Sequence, residues 1–147
     1  LSDTAVYAIS WYAVGKTPAA KRSAARFSGV MLILFAILVL ADAARRPFSG
    51  PEPFGVMMVA MAGVAAAVNL FCLNLIKPLE SQDVNMKAAE TFSGNDFIAN
   101  AGIVVAGLLV MWTNSFWPDV AVGVLVALVA LKGGFDILSD AAKDGKV

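Results

Sequence analysis

Four long apolar runs, separated by short polar stretches that carry proline, organise the 147-residue chain. A helix needs about 20 apolar residues to cross a bilayer. The runs at Phe27–Ala44, Phe54–Ile76, Asp96–Trp112 and Pro118–Leu131, the last continuing towards Leu138, therefore predict four membrane-spanning helices. A shorter apolar stretch, Thr4–Val14, predicts either the second half of a helix cut off upstream or a helix lying at the interface. The chain opens on Leu1 rather than Met, which reads as a fragment whose beginning is missing. All six prolines (Pro18, Pro47, Pro51, Pro53, Pro78, Pro118) fall in or beside the expected connections. Proline removes a hydrogen bond from a helix interior but suits its first turn. The pattern thus predicts an all-α integral membrane protein, one domain over residues 1–147, with four full spans and one partial one.

Composition agrees. Hydrophobic residues make up 59% of the chain and charged ones 15%; a soluble domain of this size carries about 25% charge, and this much apolar surface exceeds what one small core can hide. Eleven basic residues balance eleven acidic ones, which excludes the basic face of a nucleic-acid-binding module. With no His and a single cysteine, Cys72, the chain has no internal disulfide, no His-Cys zinc site and no His-based catalytic constellation, so no enzyme is expected. Gly133-Gly134 lacks the context of a phosphate loop.

The basic residues predict orientation. Lys16, Lys21, Arg22, Arg26, Lys77, Lys87, Lys132, Lys143 and Lys146 fall in the segment after the partial span, the middle connection and the tail. Only Arg45 and Arg46 fall in the two remaining connections. This asymmetry places the first, middle and terminal segments in the cytoplasm, with a bacterial inner membrane as the expected location. Trp11 and Tyr12 would lie at one membrane interface, Trp112 and Trp117 at the other.

Polar residues inside the spans carry the candidate chemistry, because a carboxylate at mid-depth costs about 2.5–3.5 kcal/mol. Asp96 heads a long apolar run, with Ser93 three residues before it and Asn100 four after, a spacing that puts the three on one helical face. Either they share a polar cavity, or Asp96 is an N-cap or first-turn acid stabilised by the helix dipole. Asp3, with Tyr7 and Ser10 on roughly the same face, is the second candidate, although at the chain start the reading as a helix-end acid carries more weight. Asn69 and Asn74 suit hydrogen bonds across helices. Met57, Met58 and Met61 read as adaptable packing before they read as a soft-metal site. Asp42 with Arg45 and Arg46 forms an expected interfacial charge cluster, and Gly102, Ala106, Gly123 and Ala127 suit close helix–helix approach.

Three segments, taken together, resemble the cation diffusion facilitator transporters. They are Ser81-Gln82-Asp83-Val84-Asn85-Met86-Lys87-Ala88-Ala89, Ser93-Gly94-Asn95-Asp96-Phe97-Ile98-Ala99-Asn100, and Trp117-Pro118-Asp119 with Gly123. They are similar to the fifth and sixth membrane helices of that family, and Leu1-Ser2-Asp3 to the middle of its second. The resemblance implies helices two to six of a six-helix domain, without the first helix and the soluble C-terminal domain. It implies exchange of divalent metal ions for protons, usually by a homodimer, through a metal site between helices two and five. Asp3 and Asp96 would be the later members of two ligand pairs, and Asn100 a polar neighbour. The earlier member of the first pair would precede Leu1; that of the second falls at Phe92, which cannot ligate a cation.

The expected ligand set is therefore Asp3, Asp96 and Asn100, with Ser93 weaker. No cofactor is expected to be held permanently. The cargo would be Zn, Mn, Co or Fe, and an oxygen-only site moves preference from Zn²⁺ towards harder ions such as Mn²⁺ or Mg²⁺. The rival expectation is a degenerate accessory or structural subunit of a larger membrane complex, without transport activity.

Overall fold

The structure, a computed structural model, describes residues 2–49, 56–76 and 83–144. Among these residues there is no strand. Five helices follow one another: α1 (Ser2–Ala13), α2 (Pro18–Ser49), α3 (Val56–Ile76), α4 (Val84–Thr113) and α5 (Trp117–Lys143). Pro18 opens α2 and Pro118 lies in the first turn of α5, where the missing N–H costs nothing. Asn114 ends α4 in the left-handed conformation, φ 50°, its N–H bonded to the Val110 carbonyl. Pro47 departs from the expected placement. It sits inside the last turn of α2, which runs past the apolar stretch through Arg45 and Arg46.

Three segments, Pro18–Phe48, Val84–Thr113 and Trp117–Lys143, are long and apolar enough to cross a membrane. Val59–Leu75, within α3, is a shorter apolar helix. Much of the apolar surface points outward: Leu38, Val64, Phe71, Leu108 and Leu125 are all exposed. In water this would be untenable; in lipid it is the expected outer surface. Trp11, Tyr12, Trp112 and Trp117 are exposed near helix ends, as interfacial aromatics are.

α4 is central and contacts each of the other four helices, whereas the most extensive pairing joins α2 to α5. Small residues set that pairing. A Cβ on Gly134 would lie 2.6 Å from Ile33 Cγ1 and 3.0 Å from the Gly29 carbonyl oxygen, so the two backbones touch. Gly102 of α4 meets Val122 and Val126 of α5 in the same manner, Gly123 faces Ala43, and Ala106 and Ala127 are buried. The core runs from Val6 on α1 through Ala25 and Leu32 on α2 and Val84, Ala88 and Phe92 on α4 to Ile137 on α5.

Ion pairs stand at the two ends of the bundle. At one end Lys21 of α2 holds Asp83, before α4, at 2.7 Å, and Arg22 donates to the Asp144 carbonyl at the end of α5. At the other, Arg46 is bonded to Asp42, at 2.7 Å and 2.9 Å, and to Asp119 of α5. Arg45 joins through Asp42 at 3.2 Å. The expected charge cluster thus also includes an acid from α5.

Candidate functional site

The start of α4 decides what Asp96 is. Val84, Ala88 and Phe92 recur at four-residue spacing and are buried in the core, so the helix is pulled into register well before the strongly apolar run begins. Asp83 occupies the N-cap position and gives its carboxylate to Lys21 rather than to the helix end. Asp96 lies about 20 Å further along the axis, at 1.5 Å per residue. It is neither a cap nor a first-turn acid, and the dipole account of it falls.

Around Asp96 the donors are oxygens. Asn100 donates its side-chain N–H to the Asp96 carbonyl at 2.8 Å, which commits the amide nitrogen and leaves Oδ1 as the ligating end. Ser93, a turn below, is fully buried, and its Oγ has no hydrogen-bond partner among the described residues. Phe92 is 2% exposed and packs in the core, so the position where the family resemblance implies a ligand is part of the apolar core. Asp3 lies on α1, but its side chain is outside the described residues. Among the described residues no three His, Cys, Asp or Glu side chains gather as a metal-binding group. Asp96, Asn100 and Ser93 offer a carboxylate and neutral oxygens, a set suited to a hard cation.

Among the other expectations, that for the asparagines comes out differently. Asn69 is buried, yet its Nδ2 finds no partner among the described residues, and Asn74 is exposed. Met61 is exposed, which fits packing against lipid; the side chains of Met57 and Met58 lie outside the described residues. The cross-helix amide bond comes instead from Asn85, whose Nδ2 donates to the Ser10 carbonyl of α1 at 2.8 Å. Its place eleven residues before Asp96, on the same face, is the sequence signal that points to it.

Among the described residues, voids flank the bundle. A cavity of about 360 Å³ lies between α2, α4 and α5, walled by Phe35, Leu38, Ile103, Val122 and Val126 and bordered by Asp42, Arg46 and Asp119. A wider groove of about 740 Å³ runs along α1, bordered by Tyr7, Ser10, Leu75, Met86 and Ala89.

Comparison with known proteins adds a family. The profile of the cation efflux transmembrane domain matches residues 19–144. The chain is 27% identical, over 98% of its length, to the metal cation efflux system protein CzcD of Cupriavidus metallidurans, of which it covers 52%. It is 30% identical over 82% of its length to the zinc transporter ZitB of Escherichia coli, covering 39% of that protein. A cadmium, cobalt and zinc/H(+)-K(+) antiporter of Bacillus velezensis is 25% identical over 80% of the chain. The chain spans about half the length of the first of these relatives and less of the other two.

Proposed function

Because the chain belongs to the cation efflux transmembrane-domain family and is an integral membrane protein, we propose that it moves a divalent metal cation across the membrane in exchange for protons. Asp96 is the carboxylate that binds the ion, Asn100 and Ser93 supply neutral oxygens, and Asp3 of α1 completes the set. The observation that carries this reading is the position of Asp96: more than three helical turns inside α4, partly buried, on a face shared with Ser93 and Asn100. An acid there is costly unless it is used. A proton and a cation compete for one carboxylate, so binding either releases the other, and the bundle alternates between states open to opposite sides. The names of the relatives, which include zinc, cadmium and cobalt, support a divalent transition metal as cargo. The oxygen-rich donor set and Phe92 favour harder ions than an imidazole site would select. The segments with Lys16, Lys21, Lys87 and Lys143 face the cytoplasm of a bacterial inner membrane, and the protein works as a homodimer.

Metal-driven proton flux in proteoliposomes tests this. Asp96→Ala abolishes flux with every divalent ion if Asp96 is the ligand; unchanged flux in that variant removes the mechanism. Phe92 in a ligand position favours a second reading, an accessory subunit that packs in a larger membrane complex without carrying ions. Co-purification with unrelated chains and absence of flux from correctly inserted protein would select it.

A further inference from the structure

α3 packs on α4 and turns a stripe of small residues inward. Ala62, Ala66 and Asn69 recur at four- and three-residue spacing and are all buried, so they share that stripe. Asn69 is its polar member. It is 6% exposed, and its Nδ2 has no hydrogen-bond partner among the described residues. A buried amide N–H without an acceptor forfeits its hydration, which a leucine of similar size at the same place would not.

Contacts at the two ends of α3 fix the level at which this amide meets α4. A Cβ on Gly63 would lie 4.0 Å from Val104 Cγ2, while Leu75 shares the groove along α1 with Met86 and Ala89. The two helices are therefore antiparallel, and numbers fall along α4 as they rise along α3. At 1.5 Å per residue, Asn69 lies about 9 Å past Gly63, whereas Asn100 lies about 6 Å and Asp96 about 12 Å past Val104 in the same direction. The amide thus lies at a depth between them. Direction agrees with depth. At 100° per residue, Ser93 and Asn100 lie within about 40° of Val104 and Asp96 about 80° from it, so the face of α4 that meets α3 is the face of the candidate site.

We propose that Asn69 belongs to the ion-binding site as a positioning residue, its amide N–H bonding the Asp96 carboxylate oxygen that the cation leaves free. This rests on the reading of Asp96 as the ion-binding carboxylate. A carboxylate that ligates through one oxygen is aimed by what holds the other, and an ionised acceptor makes such a bond stronger than a neutral one does. Asn100 cannot take this part, because its own N–H is used on the Asp96 carbonyl. The Asn69 bond is not made in this structure, so loading the site is what closes it and draws α3 onto α4.

Equilibrium titration of the complete, purified protein with Mn²⁺ tests this, in the parent, Asn69→Leu, Asp96→Asn and the double variant, with thermal melting of each in the absence of ion. Asn69→Leu weakens Mn²⁺ binding by about tenfold, the scale of a lost partner to a metal-ligating group, while its melting midpoint stays at or above that of the parent. A merely structural amide would lower the midpoint and leave the affinity of the folded protein unchanged. In the Asp96→Asn background, adding Asn69→Leu changes affinity by less than about twofold, since the bond it removes is already lost. Asn69→Ala carries the same expectations should the leucine variant not fold. Affinity within about twofold of the parent in the folded Asn69 variants, or effects of the two changes that simply multiply, overturns the proposal. Asp96→Asn protein that binds Mn²⁺ as tightly as its parent overturns the reading of Asp96 instead, which separates the two failures.

Discussion

The α2–α5 contact and the α1–α4 seam are built on opposite terms. Along α2–α5, glycine meets glycine, the backbones touch at Gly29 and Gly134, and the far end is closed by Arg46 with Asp42 and Asp119. Along α1–α4, a cross-helix hydrogen bond sits among polar atoms that are buried and find no partner among the described residues. In lipid, helix association is driven by close packing and polar bonds rather than by escape from water. The first contact therefore reads as the fixed part of the bundle, and the second as the place where stability has been left aside for something that must enter. The carboxylate at Asp96 lies on the helix that borders both.

The largest loss of stability is expected at the tight contact. Gly134→Val pushes branched carbons into Ile33 and the Gly29 backbone, neither of which moves cheaply, and lowers stability by about 1–3 kcal/mol. A reduced melting midpoint in detergent, with residual folded protein still binding cation, would show that this contact is scaffold. Arg46→Met comes next. Asp119 is mostly buried and loses its ion pair with Arg46, while Arg46 itself is 27% exposed, so the cost falls below that of a fully buried pair, at about 1–2 kcal/mol. Raising salt should weaken the native protein far less than it weakens a surface pair, and a midpoint unaffected by the mutation would mean the cluster is ornamental.

The seam should answer in the opposite direction. Ser93→Ala removes a hydroxyl with no hydrogen-bond partner among the described residues, so thermal stability stays within about 0.5 kcal/mol of the parent or rises. Flux, by contrast, falls. A variant that lost stability at Ser93 as Gly134→Val does would erase the distinction between the two regions. Asn100→Leu, which keeps the helix but deletes a neutral oxygen, weakens cation binding by about tenfold, less than loss of the carboxylate does. Titration of the purified variant with Mn²⁺ and Zn²⁺ measures it.

Much of this was legible in the chain before its structure. Helix number and order follow from apolar runs bounded by proline, and Asp96 with Ser93 and Asn100 follows from three-four spacing. Where α4 begins was harder to see, because Asn85, Lys87, Glu90 and Thr91 make its first two turns look like a connection. The stripe Val84, Ala88 and Phe92 outweighs them once α2 and α5 supply a surface to bury it. That stripe turns Asp96 from a plausible cap into an acid deep inside a helix. Pairings between distant residues were not legible at all. Asn85 meets Ser10 across 75 residues, and Asp119 joins Arg46 across 73. Neither pairing leaves a periodic trace, and Asn69, which looked the better cross-helix donor, has no such bond among the described residues.

On the function proposed above, the Asp96 carboxylate trades a proton for a cation. Equilibrium titration of the complete, purified protein with Mn²⁺ or Zn²⁺, in weakly buffered detergent solution with a pH dye, tests it most directly. Proton release on cation binding is expected, and for Asp96→Asn an affinity weaker by about a hundredfold with no proton released at this site. An Asp96→Asn protein that binds the ion as tightly and releases as many protons as its parent would contradict it.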